Sequence, residues 1–283
     1  MRKIFGPVLA IILIVSTAFA GKVERASEKV TPENAKTIDI EGELGAGNFT
    51  ITVEDITDAA LFDIEYDARA VRYDVDYYER GDKGYITFES AHRKNFRIDS
   101  EENRWNIVLS NKYESTLDLN IGACDAKFNL GGLPLKELYI DIGAASGDIE
   151  FSKPNPIRLE EFRIDAGASS LDIRLIGNAN FSRFDFSGGA GSFDLDFRGE
   201  YHGESEIIIE IGVCSADIVL PRDVPIRIYS SDINWLSSVN FHDDNLEKID
   251  DGEYESRDFG SAKDRIVLKL EVGLGSVDLF WKN

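Results

Sequence analysis

The sequence predicts an all-β fold, a single-domain β-solenoid-like stack of roughly 22-residue rungs with an antiparallel N-terminal β cap. Three observations carry this. A seven-residue phrase, Gly–small–small–Ser–apolar–Asp–Ile/Leu, recurs along the chain. It begins at Gly143, Gly167, Gly189, Gly212 and Gly273, with a looser copy at Gly122. Between Gly122 and Gly212 its glycines step by 21, 24, 22 and 23 residues, a period that marks one structural unit stacked on itself. Around each glycine, apolar residues alternate with period two, as in half-buried strands, and almost no helical periodicity interrupts them.

The first twenty residues precede the fold. Arg2 and Lys3 supply a positive start, Val8 to Val15 a short apolar core, and Ala18-Phe19-Ala20 a small-x-small cleavage pattern. This predicts a signal peptide over 1–20, export to the periplasm or the cell surface, and no membrane span in the mature chain. Residues 21–36 are polar and are expected to form a flexible lead. Residues 37–116 predict the N-terminal meander and cap. They hold a degenerate early copy at Gly45-Ala46-Gly47, then alternating runs at 61–66, 71–78, 85–89 and 106–110, with a turn at Gly81 to Gly84.

Residues 117–283 carry the repeat. Three before each glycine stand Leu119, Ile140, Ile164, Phe186, Ile209 and Leu270. Six after stand Phe128, Ile149, Ile173, Leu195, Ile218 and Leu279, and eight after, Leu130, Phe151, Leu175, Phe197, Leu220 and Trp281. Each such column stacks into a continuous core, at roughly 1.5–3 kcal/mol per buried large side chain. The glycines at 122, 143, 167, 189, 212 and 273 form a structural elbow. There a positive φ or a close backbone approach forbids a side chain, and the Ser three residues later satisfies backbone groups freed at the bend. Turn-rich returns follow, closed by Ile157, Phe181 or Ile226. Residues 231–265 interrupt the period and are expected to be an inserted loop capping the last rung.

Charge and cysteines narrow the function classes. The formal charge of −21 becomes more negative once Arg2 and Lys3 leave with the leader, which opposes nucleic acid and anionic lipid. Cys124 and Cys214 occupy equivalent places four rungs apart, about 19 Å at 4.8 Å per rung. A disulfide needs Cα atoms within about 7 Å, so two separate buried thiols are expected.

Asp148, Asp172, Asp194, Asp217 and Asp278 repeat at one place and predict an outward ladder. Like charges about 4.8 Å apart repel by roughly 1 kcal/mol in water. Such a ladder persists as a hydrogen-bonded, solvated column or as a cation site, for which calcium suits the all-oxygen donors. A second acidic column, Asp141, Asp165, Glu210 and Glu271, lies two residues before the glycine and is broken by Asn120 and Ser187. No other cofactor is implied. Tyr66, Tyr73, Tyr77 and Trp105 of the meander read first as the alternation of a half-buried strand and second as a binding face. If one surface binds, it is expected there and at Trp235 and Phe241 of the insertion, because caps vary while rungs repeat.

Catalytic signals are thin. His92, His202 and His242 have no metal-pair spacing, no Gly-x-Ser-x-Gly turn leads into a helix, and Lys127, Arg163 and Arg174 fall in different columns. The elbow phrase, the early Gly45-Ala46-Gly47 copy and the closing Gly-Leu-Gly-Ser-Val-Asp-Leu together resemble the toast-rack domains of exported or membrane-linked bacterial proteins. These include the cell-wall-active-antibiotic response proteins and adhesin-like proteins. The resemblance covers roughly 37–283 and implies a β-stack outside the cytoplasm, with envelope sensing or adhesion in some relatives and no agreed catalytic residues to transfer. The expected function is a non-enzymatic envelope or surface module whose partner is an envelope protein or glycan. The alternative is a carbohydrate-active β-helix enzyme acting on cell-wall or extracellular polysaccharide.

Overall fold

In the computed structural model the described residues are 23–93, 103–231, 237–242 and 246–283; the predicted leader lies outside them. Among them, strands alternate with turns and two short 3-10 turns, and no α-helix occurs. Strands β1 Val23–Val30, β2 Thr37–Leu44, β3 Gly47–Glu54, β4 Ala60–Asp67, β5 Val71–Arg80, β6 Lys83–His92 and β7 Asn103–Ser110 build the N-terminal end. Strands β8 Glu114–Ile121, β9 Cys124–Asn129, β10 Leu135–Ile142 and β11 Ser146–Glu150 form bent pairs. In β12 Glu161–Arg174, β13 Arg183–Asp196 and β14 Glu204–Pro221 the two arms run through the elbow as one long strand. The C-terminal end comprises β15 Ile226–Ser231, β16 Ser237–His242, β17 Leu246–Asp250, β18 Glu253–Ser256 and β19 Arg265–Lys282.

Neighbouring layers pair in parallel and in the register of the phrase. Ile140 lies beside Ile164, Ile164 beside Phe186, Phe186 beside Ile209 and Ile209 beside Leu270. Because the copies align residue for residue, identical positions stack into columns about 4.8 Å apart. The two columns three before and six after the glycine are buried throughout. The third column breaks at Leu175, which adopts a left-handed φ of 56° and turns partly outward. Ile176, fully buried, fills its place. In the returns, Leu159 rather than the half-buried Ile157 closes the rung, through a parallel bridge to Phe181.

Asn side chains bind these returns to one another where no continuous strand can. Asn155 is buried at 4 % exposure. Its amide donates to the Leu135 and Ala179 carbonyls at 2.8 and 3.2 Å, and its oxygen accepts from the Leu135 and Ile157 amides. Such pairing removes the cost of leaving buried backbone groups unmatched.

At the elbow the alternation slips by one. Gly167 and Ala168 both face out, while Ala166 and Ser169 on either side face in, which turns the strand through a corner. The elbow glycines do not use positive φ. The reason for glycine is proximity: a Cβ on Gly167 would stand 2.5 Å from the Gly143 carbonyl oxygen. Positive φ appears two residues on, at Gly191 (154°) and Gly275 (130°), where a Cβ would meet the Ser169 or Cys214 carbonyl at 1.8 Å. The expected Ser tie is not the one used. The hydroxyls at 146, 170, 192, 215 and 276 make no hydrogen bond to the bend among the described contacts. Main-chain amides satisfy it instead, as in Ala144 N–H to Gly122 O at 3.1 Å and Ala168 N–H to Gly143 O at 2.9 Å.

The ends depart most from expectation. The polar lead is not flexible throughout, since β1 pairs antiparallel with β4 and buries Ala26 and Val30. The early copy is not part of a meander. Strands β2 and β3 form a full layer lying between β6/β7 on one side and β8/β9 on the other, all parallel. The antiparallel cap reduces to β1 and β4 on one arm and β5 on the other. The insertion over 231–265 is likewise not a loop. With Ile226–Ser231 it supplies a further parallel layer, β15 and β16 against β19, and the antiparallel strands β17 and β18 cover that layer. At both ends, therefore, the outermost copy in sequence sits one layer inside the outermost layer in space.

Candidate binding groove and acidic ladders

Where the elbow column carries glycine in seven layers and Ala91 in the first, small or missing side chains leave a groove of about 1270 Å³ running across the layers from Glu89 to Glu271. Its first wall is the column two residues before the glycine. In spatial order this is Glu89, Glu43, Asn120, Asp141, Asp165, Ser187, Glu210 and Glu271, each beside the next. The acids thus form three doublets separated by single neutral residues. Beyond the glycine column, outside the groove's own lining, the next position in sequence holds exposed Ala123, Ala144, Ala168 and Ala190, then Val213 and Leu274, which are adjacent in register and 57 % and 40 % exposed.

No Lys, Arg or His lines the groove among the described residues. Partial burial, and next the negative Asp165 in the adjoining layer, lift Asp141 above its ordinary carboxylate value. Arg163 reaches Asp165 from the neighbouring column at 2.7 Å, and Arg72 approaches Glu89 only to 3.9 Å. The four acids Asp141, Asp165, Glu210 and Glu271 and both interruptions were visible in sequence. Glu43 was also readable, standing two before Gly45. Glu89 was not, because its layer carries Ser90-Ala91 in place of the phrase and joins the stack only through the inserted position of β2.

The second column, on the other arm of the elbow, places Asp148, Asp172, Asp194, Asp217 and Asp278 in one unbroken ladder. Its two ends carry donors. Lys127 occupies the same position in the layer before Asp148, while Asn240 and His242 reach Asp278 at 3.1 and 2.9 Å. The His242 contact, with Asn240 after it, holds Asp278 below its ordinary value, and the His242 ring stacks on Phe280 at 4.6 Å. Arg174 bonds Asp172 at 2.9 Å. Desolvation against the sheet, then Asp217 and Asp172, raise Asp194. Among the described residues no three His, Cys, Asp or Glu side chains converge as a metal-ligand set. The ladder is a row of separate carboxylates rather than a coordination cage.

Of the aromatic residues considered for a binding face, Trp105 is buried, while Tyr66, Tyr73, Tyr77 and Phe241 are partly exposed and packed against neighbours. Trp105 is fully buried and donates its indole N–H to Asn103 at 3.0 Å. Phe49, Phe62, Phe88 and Tyr73 surround it with ring centroids 6.1–6.5 Å away. Tyr66 packs edge-on against Tyr73 at 5.0 Å, and Tyr77 donates to Glu79 at 2.6 Å. Phe241 is half-buried against Tyr254 at 4.7 Å, and Trp235 lies outside the described residues. Alternating aromatics are what a half-buried strand presents as well as what a binding face presents, and here packing claims them. Cys124 and Cys214 are both free and buried, and burial pushes their thiols up to about 12 and about 11.

Among the described residues no helix is long and apolar enough to cross a membrane. A candidate cell adhesion protein from Clostridium sporogenes has a similar solved structure. It is 18% identical, covers 92% of this chain and 100% of its own, and gives a TM-score of 0.52. A candidate adhesin from Bacteroides fragilis aligns over 92% of this chain and 98% of its own, with 10% identity and a TM-score of 0.36. No curated protein matches the chain. Residues 19–156 match the family model described as the N-terminal domain of toast_rack, DUF2154. That segment belongs to the toast-rack family.

Proposed function

We propose that the chain is an exported, non-enzymatic β-stack that works as an adhesin-like interaction module of the cell envelope or surface, with an envelope protein or glycan as partner. The observation that carries this is the elbow groove. It offers the same kinds of wall over many successive layers, a form suited to an extended ligand rather than to one reacting bond. The toast-rack match of residues 19–156 and the shared fold with a candidate cell adhesion protein support the same reading.

The test uses the mature chain as bait for envelope extract and as a probe on a glycan array. Retention of a specific protein or glycan with no chemical change in it is the expected outcome. Release of new reducing ends from cell-wall or extracellular polysaccharide would instead establish the carbohydrate-active enzyme and overturn the proposal.

A further inference from the structure

The groove's charge pattern specifies a partner more narrowly than its length does. Six carboxylates line it and no basic side chain does. Glu43, Asp141, Glu210 and Glu271 have no ion pair among the described contacts. The acids come as Glu89–Glu43, Asp141–Asp165 and Glu210–Glu271, with Asn120 and Ser187 as the two interruptions, so the doublets recur every third layer. Three layers at about 4.8 Å make about 14 Å between doublet centres. An extended polypeptide rises about 3.4 Å per residue and returns to the same face at every second residue, so residues i and i+4 share a face about 13.6 Å apart. Over the full set, i to i+8 spans about 27 Å against about 29 Å between the outer doublets.

The position just past the glycine column adds a separate, apolar signal. It is alanine in four successive layers, then becomes Val213 and Leu274, two large apolar side chains left exposed side by side next to the groove. Exposed apolar pairs of this kind next to a column of like charges that is only partly ion-paired mark a surface that meets a partner. A second copy of this chain does not fit, because its own charge of −21 opposes approach.

We infer that the elbow groove binds an extended, cationic polypeptide segment whose Lys or Arg side chains recur every fourth residue and face the three acid doublets. Apolar side chains of the segment then meet Val213 and Leu274. This inference rests on the reading of the chain as an interaction module and names the chemistry of its partner. Binding is electrostatic at the rim and therefore weakens as salt rises.

The experiment measures fluorescence anisotropy of labelled nine-residue Ser/Thr peptides on the mature chain near physiological salt. One carries lysines at its first, fifth and ninth positions; a control of identical composition has its three lysines consecutive. The expected result is tighter binding of the spaced peptide. One charge is then removed from each doublet, in Glu43→Gln/Asp141→Asn/Glu210→Gln, which should weaken binding roughly tenfold. Removing three charges from the other column, in Asp148→Asn/Asp172→Asn/Asp194→Asn, should leave binding within about twofold. Melting curves verify that both triple variants are folded.

Equal binding of the two peptides, or equal losses from the two triple variants, would reduce the effect to net charge and overturn the inference. Failure of every peptide while the chain still retains envelope material would defeat the cationic partner and leave the interaction module standing. If both fail, the module reading fails with it.

Discussion

From β8 to β14 each layer repeats the one before it, column on column, and its corner is made by removing side chains. The N-terminal end keeps the parallel layers but closes them with antiparallel strands, and it groups its rings around one buried Trp105, whereas the rings of the middle, such as Phe162, Phe184 and Phe186, sit among the aligned columns. In the middle, tolerance is set by backbone approaching backbone within the stack. At the end it is set by side-chain volume and by one buried acid. The same fold therefore fails in different ways at the two places, and the variants that separate them follow in decreasing order of effect.

Gly191→Val should cost the most, upwards of about 4 kcal/mol or the folded state itself. Its new Cβ would lie 1.8 Å from the Ser169 carbonyl on a backbone already at φ 154°. A melting temperature close to that of the parent chain would remove the claim that layer contact dictates glycine. Trp105→Ala should cost about 3–5 kcal/mol, the range for emptying a large aromatic site. Denaturant titration measures this loss, and a value under about 1 kcal/mol would show that the aromatic end is not a packed core.

A finer contrast lies within the middle itself. Gly167→Ala places a Cβ 2.5 Å from a carbonyl, whereas Gly143→Ala leaves 3.3 Å. The first should be less stable than the second by about 1–2 kcal/mol, read from paired denaturant curves.

Glu28 gives the smallest and most specific effect. It sits on edge strand β1 at 8 % exposure, with Oε1 accepting from Tyr73 at 3.1 Å and Oε2 without a hydrogen-bond partner. Tyr73 comes from β5, while the Tyr66–Glu24 pair joins β4 to β1 alongside. Burial raises the Glu28 carboxyl above its ordinary 4.5, against the opposing pull of the Tyr73 hydrogen bond. The folded state then holds this proton more tightly than the unfolded chain. Its contribution to stability is complete below about pH 4.5 and is lost as pH rises through the raised value. Glu28→Gln should flatten that fall in stability with rising pH, and an unchanged pH profile would contradict the assignment.

The sequence made the middle legible because parallel in-register stacking writes itself as a fixed period, and the period alone kept Cys124 and Cys214 apart. It also displayed both acidic columns, since outward positions recur with the inward ones. It concealed the order of layers at the ends. Nothing in residues 83–110 resembles the phrase, yet β6 and β7 form a layer against β2 and β3, because strand pairing needs matched apolar faces and not matched residues. That order brings Glu89 beside Glu43 and completes the first acid doublet of the groove. Local alternation likewise could not say whether Tyr73 and Trp105 faced a partner or one another.

The layer order at the N-terminal end is the claim on which the groove depends, and pairwise cysteine crosslinking tests it directly. In a Cys124→Ser/Cys214→Ser background, Glu41→Cys is combined with Thr87→Cys, or with Asp118→Cys, and Thr87→Cys is combined with Asp118→Cys. Glu41 lies beside both Thr87 and Asp118, which are themselves two layers apart, about 9.6 Å. The account predicts a disulfide in the first two pairs and none in the third, because a bridge needs Cα atoms within about 7 Å. A bridge between positions 87 and 118, with none between 41 and 118, would place the layers in sequence order and contradict it.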